Sequence, residues 1–213
     1  MWSAETLAES LSVGLAELGG PGLTEQQQAT LLGYLALLQR WNRTYNLTAI
    51  KEPGRMITGH LLDSLAILPW VGEGRLLDAG TGAGLPGVPL AVANPRLDVT
   101  LLDSAGKKIR FLNHVRRELQ LGNMTPVQER LESFMPELGF DVVVSRAFAD
   151  LASFIRAAVH LLGPTTRLLA MKGRYPDAEL RELPDGVRVQ SVEELSVPGL
   201  QQERHLVIMS VIA

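Results

Sequence analysis

The sequence predicts an α/β fold: a seven-stranded, mostly parallel sheet preceded by a helical extension. Three observations predict it. Residues 1–72 carry helical patterns, whereas from residue 73 onward short apolar strands alternate with helices. This alternation is typical of right-handed βαβ crossovers and a parallel sheet. The last two strand-like runs have no long helix between them, which predicts an antiparallel hairpin, with one reversed strand, at the sheet edge.

The extension has apolar residues at the three- and four-residue spacing of amphipathic helices. We predict helices over residues 6–18 and 24–41, with Thr24 as N-cap of the second, and a third over about 56–68. The extension should pack on a domain formed by residues 73–213. In that domain the predicted strands cover residues 75–79, 99–102, 126–128, 141–145, 166–171, 187–195 and 204–212, and the predicted helices lie near Val88 and at 109–119, 151–162 and 177–183.

A glycine-rich turn follows the first predicted strand. Gly80, Gly82 and Gly84 can take positive φ and let a ligand approach the backbone closely. Pro86 suits the first turn of the next helix, where its missing N–H costs little. These features predict a nucleotide-binding turn. A merely tight strand-to-helix turn stays open as the alternative, because glycine runs alone are weak signals.

Asp78, at the tip of this strand, distinguishes between two possible kinds of nucleotide ligand. Gly82, Gly84 and Gly87 satisfy the G-x-G-x-x-G pattern of dinucleotide sites. A carboxylate two residues before the first glycine would repel a pyrophosphate, but it suits the cationic methionine part of S-adenosylmethionine. The Asp-x-Gly-x-Gly pattern therefore favours motif I of a class I methyltransferase, which has a Rossmann-like sheet.

Asp103 ends the second predicted strand, sixteen residues after Gly87. A carboxylate at this interval is typical of one that binds ribose hydroxyls. The alternative is a plain helix N-cap. Because Ser104 could provide that cap, Asp103 is free for the ribose in this interpretation.

Composition excludes several kinds of chemistry. The 213 residues contain no cysteine, which excludes disulfides, Cys-ligated zinc and iron–sulfur clusters, and the thiolate that methylation of cytosine at carbon 5 requires. No apolar run reaches a membrane span and the first residues lack a basic leader, so we expect a cytoplasmic location. The net charge of −3 conceals a basic run that is either RNA-facing or merely a solvated helix face: Lys107, Lys108, Arg110, Arg116 and Arg117.

The tip of the fourth strand, Val144 to Phe148, is informative by what it lacks. It has neither the Asn/Asp-Pro-Pro-aromatic set used on exocyclic amines nor a carboxylate suited to ribose methylation. Ser145 and Arg146 suit an endocyclic nitrogen such as N7 of guanine, whose unprotonated lone pair needs no general base. Arg146 could hold O6 of guanine. Alternatively, it is a structural ion-pair partner of Asp78 or Asp141.

Several motifs together resemble the RsmG (GidB) family, bacterial enzymes that methylate N7 of one guanine in 16S ribosomal RNA. They stand in the family's order from about residue 24 to 207: Trp41-Asn-Arg-Thr-Tyr-Asn-Leu-Thr48, His60-Leu-Leu-Asp-Ser64, Asp78-Ala-Gly-Thr-Gly-Ala-Gly-Leu-Pro-Gly87, Leu101-Leu-Asp-Ser104, Lys107-Lys-Ile-Arg-Phe-Leu112, Ser145-Arg-Ala-Phe148 and Glu203-Arg-His-Leu-Val207. Thr81 and Leu85 stand where relatives often carry serine and phenylalanine, which changes little.

The resemblance implies S-adenosylmethionine as cofactor and 16S ribosomal RNA, or the assembling small ribosomal subunit, as partner. We further expect no metal, no membrane and a monomer. Together with motif I, it gives these cofactor residues: Asp78, Gly80, Thr81, Gly82, Gly84, Leu85, Asp103, Ser104, Ala105, Leu131, Glu132 and Arg146. Besides the basic helix, the expected RNA-facing rim comprises Lys172, Arg174, Arg204 and His205.

The remaining motif residues allow two interpretations each. Asn42, Asn46 and Thr48 end the second predicted helix, either as caps or as RNA contacts. His60 and Asp63, three residues apart on one helix, favour a local hydrogen bond over a metal site. A class I methyltransferase acting on another RNA site, on a protein or on a small molecule stays open, as does a nucleotide-binding RNA chaperone without catalysis.

Overall fold

The computed structural model describes residues 3–19, 22–146 and 148–212. The extension contains α1 (Ala4–Leu18), α2 (Glu25–Tyr45), α3 (Pro53–Met56), a π-helical segment (Ile57–Leu62), α4 (Asp63–Leu65) and α5 (Leu68–Val71). The prediction for α2 is confirmed at its start, where Thr24 and Gln27 form a capping box. At its end, Asn46 is the left-handed C-cap.

The rest of the chain forms one seven-stranded sheet. Its elements are β1 (Gly74–Ala79), α6 (Gly87–Ala93), β2 (Leu97–Leu102), α7 (Gly106–Glu118), β3 (Met124–Val127), β4 (Val142–Ser145), α8 (Leu151–Ala158), β5 (Arg167–Lys172), α9 (Asp177–Arg181), β6 (Val187–Glu194) and β7 (His205–Val211). The strand order is β3-β2-β1-β4-β5-β7-β6. Only β7 is reversed, so the predicted sheet and its edge hairpin are confirmed.

Three details differ from the sequence prediction. The predicted third helix contains a π-helical segment, and the helix predicted over 151–162 ends in a 3₁₀ turn, Val159–Leu161. Ser104 does not cap α7: the N-cap is Ala105, without a side-chain cap bond. Within the described ranges, no helix combines the length and apolar character that crossing a membrane requires.

The sheet separates two apolar cores because neighbouring strand residues point to opposite faces. Leu76 packs with α2, α6 and α7 on one face, whereas Leu77 packs with α8 on the other. The extension is joined to the first face by polar contacts as well. The buried Tyr34 hydroxyl donates to the Ala83 carbonyl at 2.9 Å, and Gln27 Nε2 donates to the Val92 carbonyl at 2.9 Å. The second helix thus supports the glycine turn from behind.

Candidate active site

The glycine turn has the backbone that the sequence predicts. Gly80, Gly82 and Gly84 have φ of +71°, +63° and +100°, the region that favours glycine. Their surroundings differ, however. A Cβ on Gly84 would stand 2.5 Å from Val88 and 2.7 Å from Leu112. Gly84 therefore allows close packing of protein on protein, and only Gly80 and Gly82 line a cavity.

Asp78 lies behind this turn and is fully buried. Its Oδ2 accepts hydrogen bonds from the Thr81 hydroxyl at 2.6 Å and from the Gly87 amide at 2.8 Å. Its Oδ1 has no hydrogen-bond partner among the described residues. Burial raises the pKa of Asp78 to about 6, although these two hydrogen bonds oppose the shift. The carboxylate thus fixes the turn to the start of α6, and its predicted contact with a cofactor stays a prediction.

Asp103 is buried at the end of β2 and accepts three hydrogen bonds. Its Oδ2 accepts from the Gly82 amide at 3.0 Å and from Lys108 Nζ at 2.9 Å, and its Oδ1 accepts from the Ala105 amide at 2.9 Å. Asp103 therefore connects the turn after β1 with the start of α7. Lys108, which the sequence places in a basic surface, instead points towards this carboxylate.

Three cavities lie at the carboxyl ends of the strands, and neighbouring cavities share lining residues. The first, of about 250 Å³, is lined by Gly80, Leu102, Asp103, Ser104, Lys108, Glu129, Arg130, Leu131, Glu132 and Phe148. The second, of about 230 Å³, is lined by Leu47, Thr48, Gly80, Thr81, Gly82, Ala83, Leu85, Lys108 and Arg146. The third, of about 320 Å³, is lined by Ile50, Gly59, His60, Asp63, Arg146, Met171, Lys172, Gly173 and Arg204.

Arg146 borders both the second and the third cavity. Its NH1 donates to Asp63 Oδ2 at 2.9 Å and to the Gly59 carbonyl at 3.2 Å. Asp63 is 1% exposed, and its Oδ1 accepts from Arg204 Nε at 2.7 Å. One buried carboxylate thus holds two guanidinium groups beside the third cavity. Arg146 is thus an ion-pair partner, as the alternative interpretation held, but its partner is Asp63 and not Asp78 or Asp141.

His60 joins the other side of the third cavity to the end of α2. Its Nδ1 lies 3.0 Å from the Gly59 carbonyl, so Nδ1 carries the proton and Nε2 accepts from the Thr48 hydroxyl at 2.8 Å. Burial lowers the pKa of His60 to about 4, and the charge of Arg146 acts in the same direction. The Asn42 side chain binds the backbone of Thr48: Asn42 Oδ1 accepts from the Thr48 amide at 2.9 Å, and Asn42 Nδ2 donates to the Thr48 carbonyl at 3.0 Å. The predicted local bond between His60 and Asp63 is wrong, since each has other partners.

The predicted basic residues are dispersed. Lys172 forms an ion pair with Glu179 at 2.7 Å, Arg204 is bound to Asp63, and His205 is buried, so these three do not form an outward-facing rim. Lys172 and Arg204 instead line the third cavity. Exposed positions are held by Arg174, Lys107, Arg110, Arg116 and Arg117.

Most predicted cofactor residues meet in the first two cavities. Asp78, Gly84 and Ala105 do not line them, and Ala147 of the motif after β4 lies outside the described residues. Sequence reasoning missed Lys108, Leu47, Ala83 and Phe148 as lining residues. The helical period of α7 offers a signal for Lys108, because its position differs in direction from the outward-facing Lys107 and Arg110.

A sheet of this order, with a glycine turn after β1 beneath an acid that ends β2, defines the class I methyltransferase fold. A methyltransferase from Aquifex aeolicus described as SAM dependent has a similar structure, with a TM-score of 0.57 and 19% identity over 75% of this chain and 94% of that one. The chain belongs to the GidB family, rRNA small subunit methyltransferase G, whose model matches residues 27–207. The resemblance seen in the sequence is thereby confirmed.

Curated relatives of the same description match almost the whole chain. Ribosomal RNA small subunit methyltransferase G of Laribacter hongkongensis is 52% identical over 94% of this chain and 97% of its own length. The protein of that description from Stutzerimonas stutzeri is 50% identical over 97% and 96%.

Proposed function

We propose that this chain transfers the methyl group of S-adenosylmethionine to N7 of a specific guanine in 16S ribosomal RNA of the small subunit. One observation carries the proposal: the Arg146 guanidinium, fixed by Asp63 and the Gly59 carbonyl, borders both the second and the third cavity. A guanine in the third cavity would meet a cationic hydrogen-bond donor that suits O6. N7 of that guanine would be directed towards the second cavity.

The first two cavities suit S-adenosylmethionine, which supplies an electrophilic methyl group on a sulfonium. The Asp103 carboxylate suits the ribose hydroxyls, and Leu131 and Phe148 offer apolar contact to the adenine. Gly80 and Gly82 allow the methionine part to approach the backbone. Asp78 Oδ1 has no hydrogen-bond partner in the part of the chain that the structure describes, which leaves a buried carboxylate oxygen behind this turn, where it favours a cation.

The lining of the third cavity supports transfer without a general base. Its one carboxylate, Asp63, is bound to two arginines, and its one imidazole, His60, accepts from Thr48 and is neutral at pH 7. Ser145 donates to the Ala79 carbonyl at 2.7 Å. An unprotonated N7 needs no base, so positioning would provide most of the rate, on the order of 7–11 kcal/mol for well-oriented groups.

The direct test measures N7-methylguanosine in small-subunit ribosomal RNA from cells with and without this chain, and in RNA treated with the purified protein and labelled S-adenosylmethionine. We expect one guanine to lose its methyl group without the chain and to regain it in the purified reaction. Methylation of another RNA site, of a protein or of a small molecule would contradict the proposal. Binding of RNA without any methyl transfer would instead indicate a chaperone.

Single-turnover rates at saturating S-adenosylmethionine should change less than about threefold between about pH 6 and 9, the range in which a tuned Glu, His or Lys base titrates. The physical reason is that N7 is already unprotonated and His60 titrates far below this range. Rapid-quench measurements across the range check this. A rate that rises tenfold per pH unit would require a base and would move the target to a protonated amine or hydroxyl.

Asp103→Ala should weaken binding of S-adenosylhomocysteine by about 1.5–3 kcal/mol, the range for hydrogen bonds to a charged group. Calorimetry measures the affinity. Asp98→Ala, a change at the other end of β2 where the side chain is 63% exposed, serves as the matched control. Unchanged affinity in a folded Asp103→Ala protein would assign the carboxylate only to holding Gly82 and Ala105.

A further inference from the structure

An aromatic cluster lies between the end of α2 and the middle of α7. The Trp41 ring centroid is 5.3 Å from that of Tyr45, 5.3 Å from that of His114 and 5.5 Å from that of Phe111. Phe111 is buried, whereas Tyr45 is 37% exposed and His114 is partly exposed. The cluster therefore begins in the core and ends at the surface with the ring of Tyr45.

Three cationic side chains and one imidazole border this cluster on α7. Lys107, Arg110, His114 and Arg117 stand at positions i, i+3, i+7 and i+10, which share one helix face. Lys107 Nζ donates to the Tyr45 carbonyl at 3.1 Å, and Arg117 NH2 lies 2.9 Å from His114 Nδ1. The acid beside them is Glu118, 3.5 Å from Arg117. We name the surface formed by Tyr45, Lys107, Arg110, His114 and Arg117 the aromatic–basic surface.

Residues adjacent in sequence to this surface line the candidate active site. Lys108, which follows Lys107, lines the first and second cavities. Leu47 and Thr48, which follow the end of α2, line the second cavity. A polymer whose target base enters the third cavity would therefore place neighbouring nucleotides within reach of this surface.

We propose that the aromatic–basic surface binds unpaired RNA next to the target nucleotide, with one base stacked on Tyr45 and with Lys107, Arg110 and Arg117 contacting phosphates. This inference rests on the proposed function. Exposed rings beside a basic groove are the combination that binds single strands, because every unpaired base has a face to stack and every nucleotide has a phosphate. An A-form duplex keeps its base faces stacked internally.

Only some of the basic residues of α7 should contact RNA. Lys108 is bound to Asp103 in the first cavity, and Arg116, at i+9 from Lys107, lies off the common face. A variant that neutralises Lys108 would therefore disturb the cofactor as well. The residues that should act on RNA alone are Lys107, Arg110 and Arg117.

The experiment measures binding of a fluorescently labelled small-subunit ribosomal RNA transcript by anisotropy at several KCl concentrations. Tyr45→Ala should raise the Kd about fivefold or more, because one base loses its stacking surface, and should leave the salt slope unchanged. Tyr45→Phe should restore the wild-type Kd. Arg110→Ala should reduce the slope of log Kd against log salt by about 0.7–0.9, as expected for one lost phosphate contact.

Two controls separate this inference from the proposed function. Arg188→Ala removes an exposed cation on β6, the far edge of the sheet, and should leave the slope unchanged; S-adenosylhomocysteine affinity should be the same in every variant. If Tyr45→Ala binds the RNA within twofold of the wild type, or if the wild type binds none, this inference is overturned. If the variants behave as expected but no N7-methylguanosine forms, the surface stands and the proposed reaction fails.

Discussion

Asp63→Ala should reduce the single-turnover rate of methyl transfer by about two orders of magnitude, equivalent to about 2.7 kcal/mol in the barrier. The carboxylate is 1% exposed and holds Arg146 at 2.9 Å and Arg204 at 2.7 Å. Without it, two partly buried guanidinium groups lose their counter-ion and their orientation. Because neither the first nor the second cavity is lined by Asp63, affinity for S-adenosylhomocysteine should stay within about threefold.

The same change should also lower the free energy of unfolding, because removing one partner of a buried charge pair typically costs about 3–5 kcal/mol. Both arginines remain partly exposed, so we expect the lower end of that range. Asp63→Asn keeps the shape and one acceptor oxygen, and should be less harmful to folding than to the rate. Asp177→Ala, which removes an exposed partner of Arg181, serves as the matched control and should change neither.

Three measurements distinguish positioning from mere destabilisation: calorimetric affinity for S-adenosylhomocysteine, the urea midpoint and the single-turnover rate. A positioning role requires a folded variant that binds the cofactor but transfers slowly. If the rate of Asp63→Ala is close to that of the wild type below the unfolding transition, the two arginines do not depend on Asp63. If cofactor affinity falls in parallel with the rate, Asp63 acts through the second cavity instead.

The parts of the fold that follow local rules could be predicted from the sequence. Thr24 and Gln27 start α2 because both sides of the cap lie within four residues, and the glycines after β1 predict positive φ from their own backbone freedom. The arrangement around Asp63 could not be predicted in this way. Its partners Arg146 and Arg204 are 83 and 141 residues away, and nothing local distinguishes Asp63 from Asp78 or Asp141 as the partner of Arg146.

The wrong expectation for His60 and Asp63 has a local cause. In an α-helix, residues three apart share a face, but residues 57–62 are π-helical, with i→i+5 bonding and more residues per turn. Each side chain after this segment therefore points in a different direction from the one that a regular α-helix would give. His60 is hydrogen-bonded to Thr48, whereas Asp63 forms ion pairs with two arginines. A regular helical period does not predict these partners.

Asp78 and His60 should make opposite contributions to the pH dependence of stability. The pKa of Asp78 is raised from 3.8 to about 6, so the stability this group provides is fully present below about pH 3.8 and is lost as the pH rises through 6. The pKa of His60 is lowered from 6.5 to about 4, so its contribution is present above about pH 6.5 and is lost as the pH falls through 4. In the wild type the two effects oppose each other over the same range.

Single substitutions should reveal each contribution. Relative to the wild type, the free energy of unfolding of Asp78→Asn should rise by roughly 2 kcal/mol between about pH 4.5 and 7.5, because one pKa unit corresponds to about 1.4 kcal/mol and part of each shift lies outside this range. That of His60→Gln should fall by a similar amount. Urea unfolding at four pH values in this interval measures both slopes.

The double variant provides the control, because its pH dependence should again be parallel to that of the wild type. Hydrogen bonds from Ser153 lower the pKa of Asp150. Because Asp150 is present in all four proteins, its contribution to the pH dependence of stability cancels in the comparison. If Asp78→Asn and the wild type have parallel curves, the carboxylate is not destabilised by its burial behind the glycine turn. The ionised Asp78 carboxylate would then carry no free-energy cost at neutral pH, contrary to what we expect of a buried carboxylate that attracts a cation.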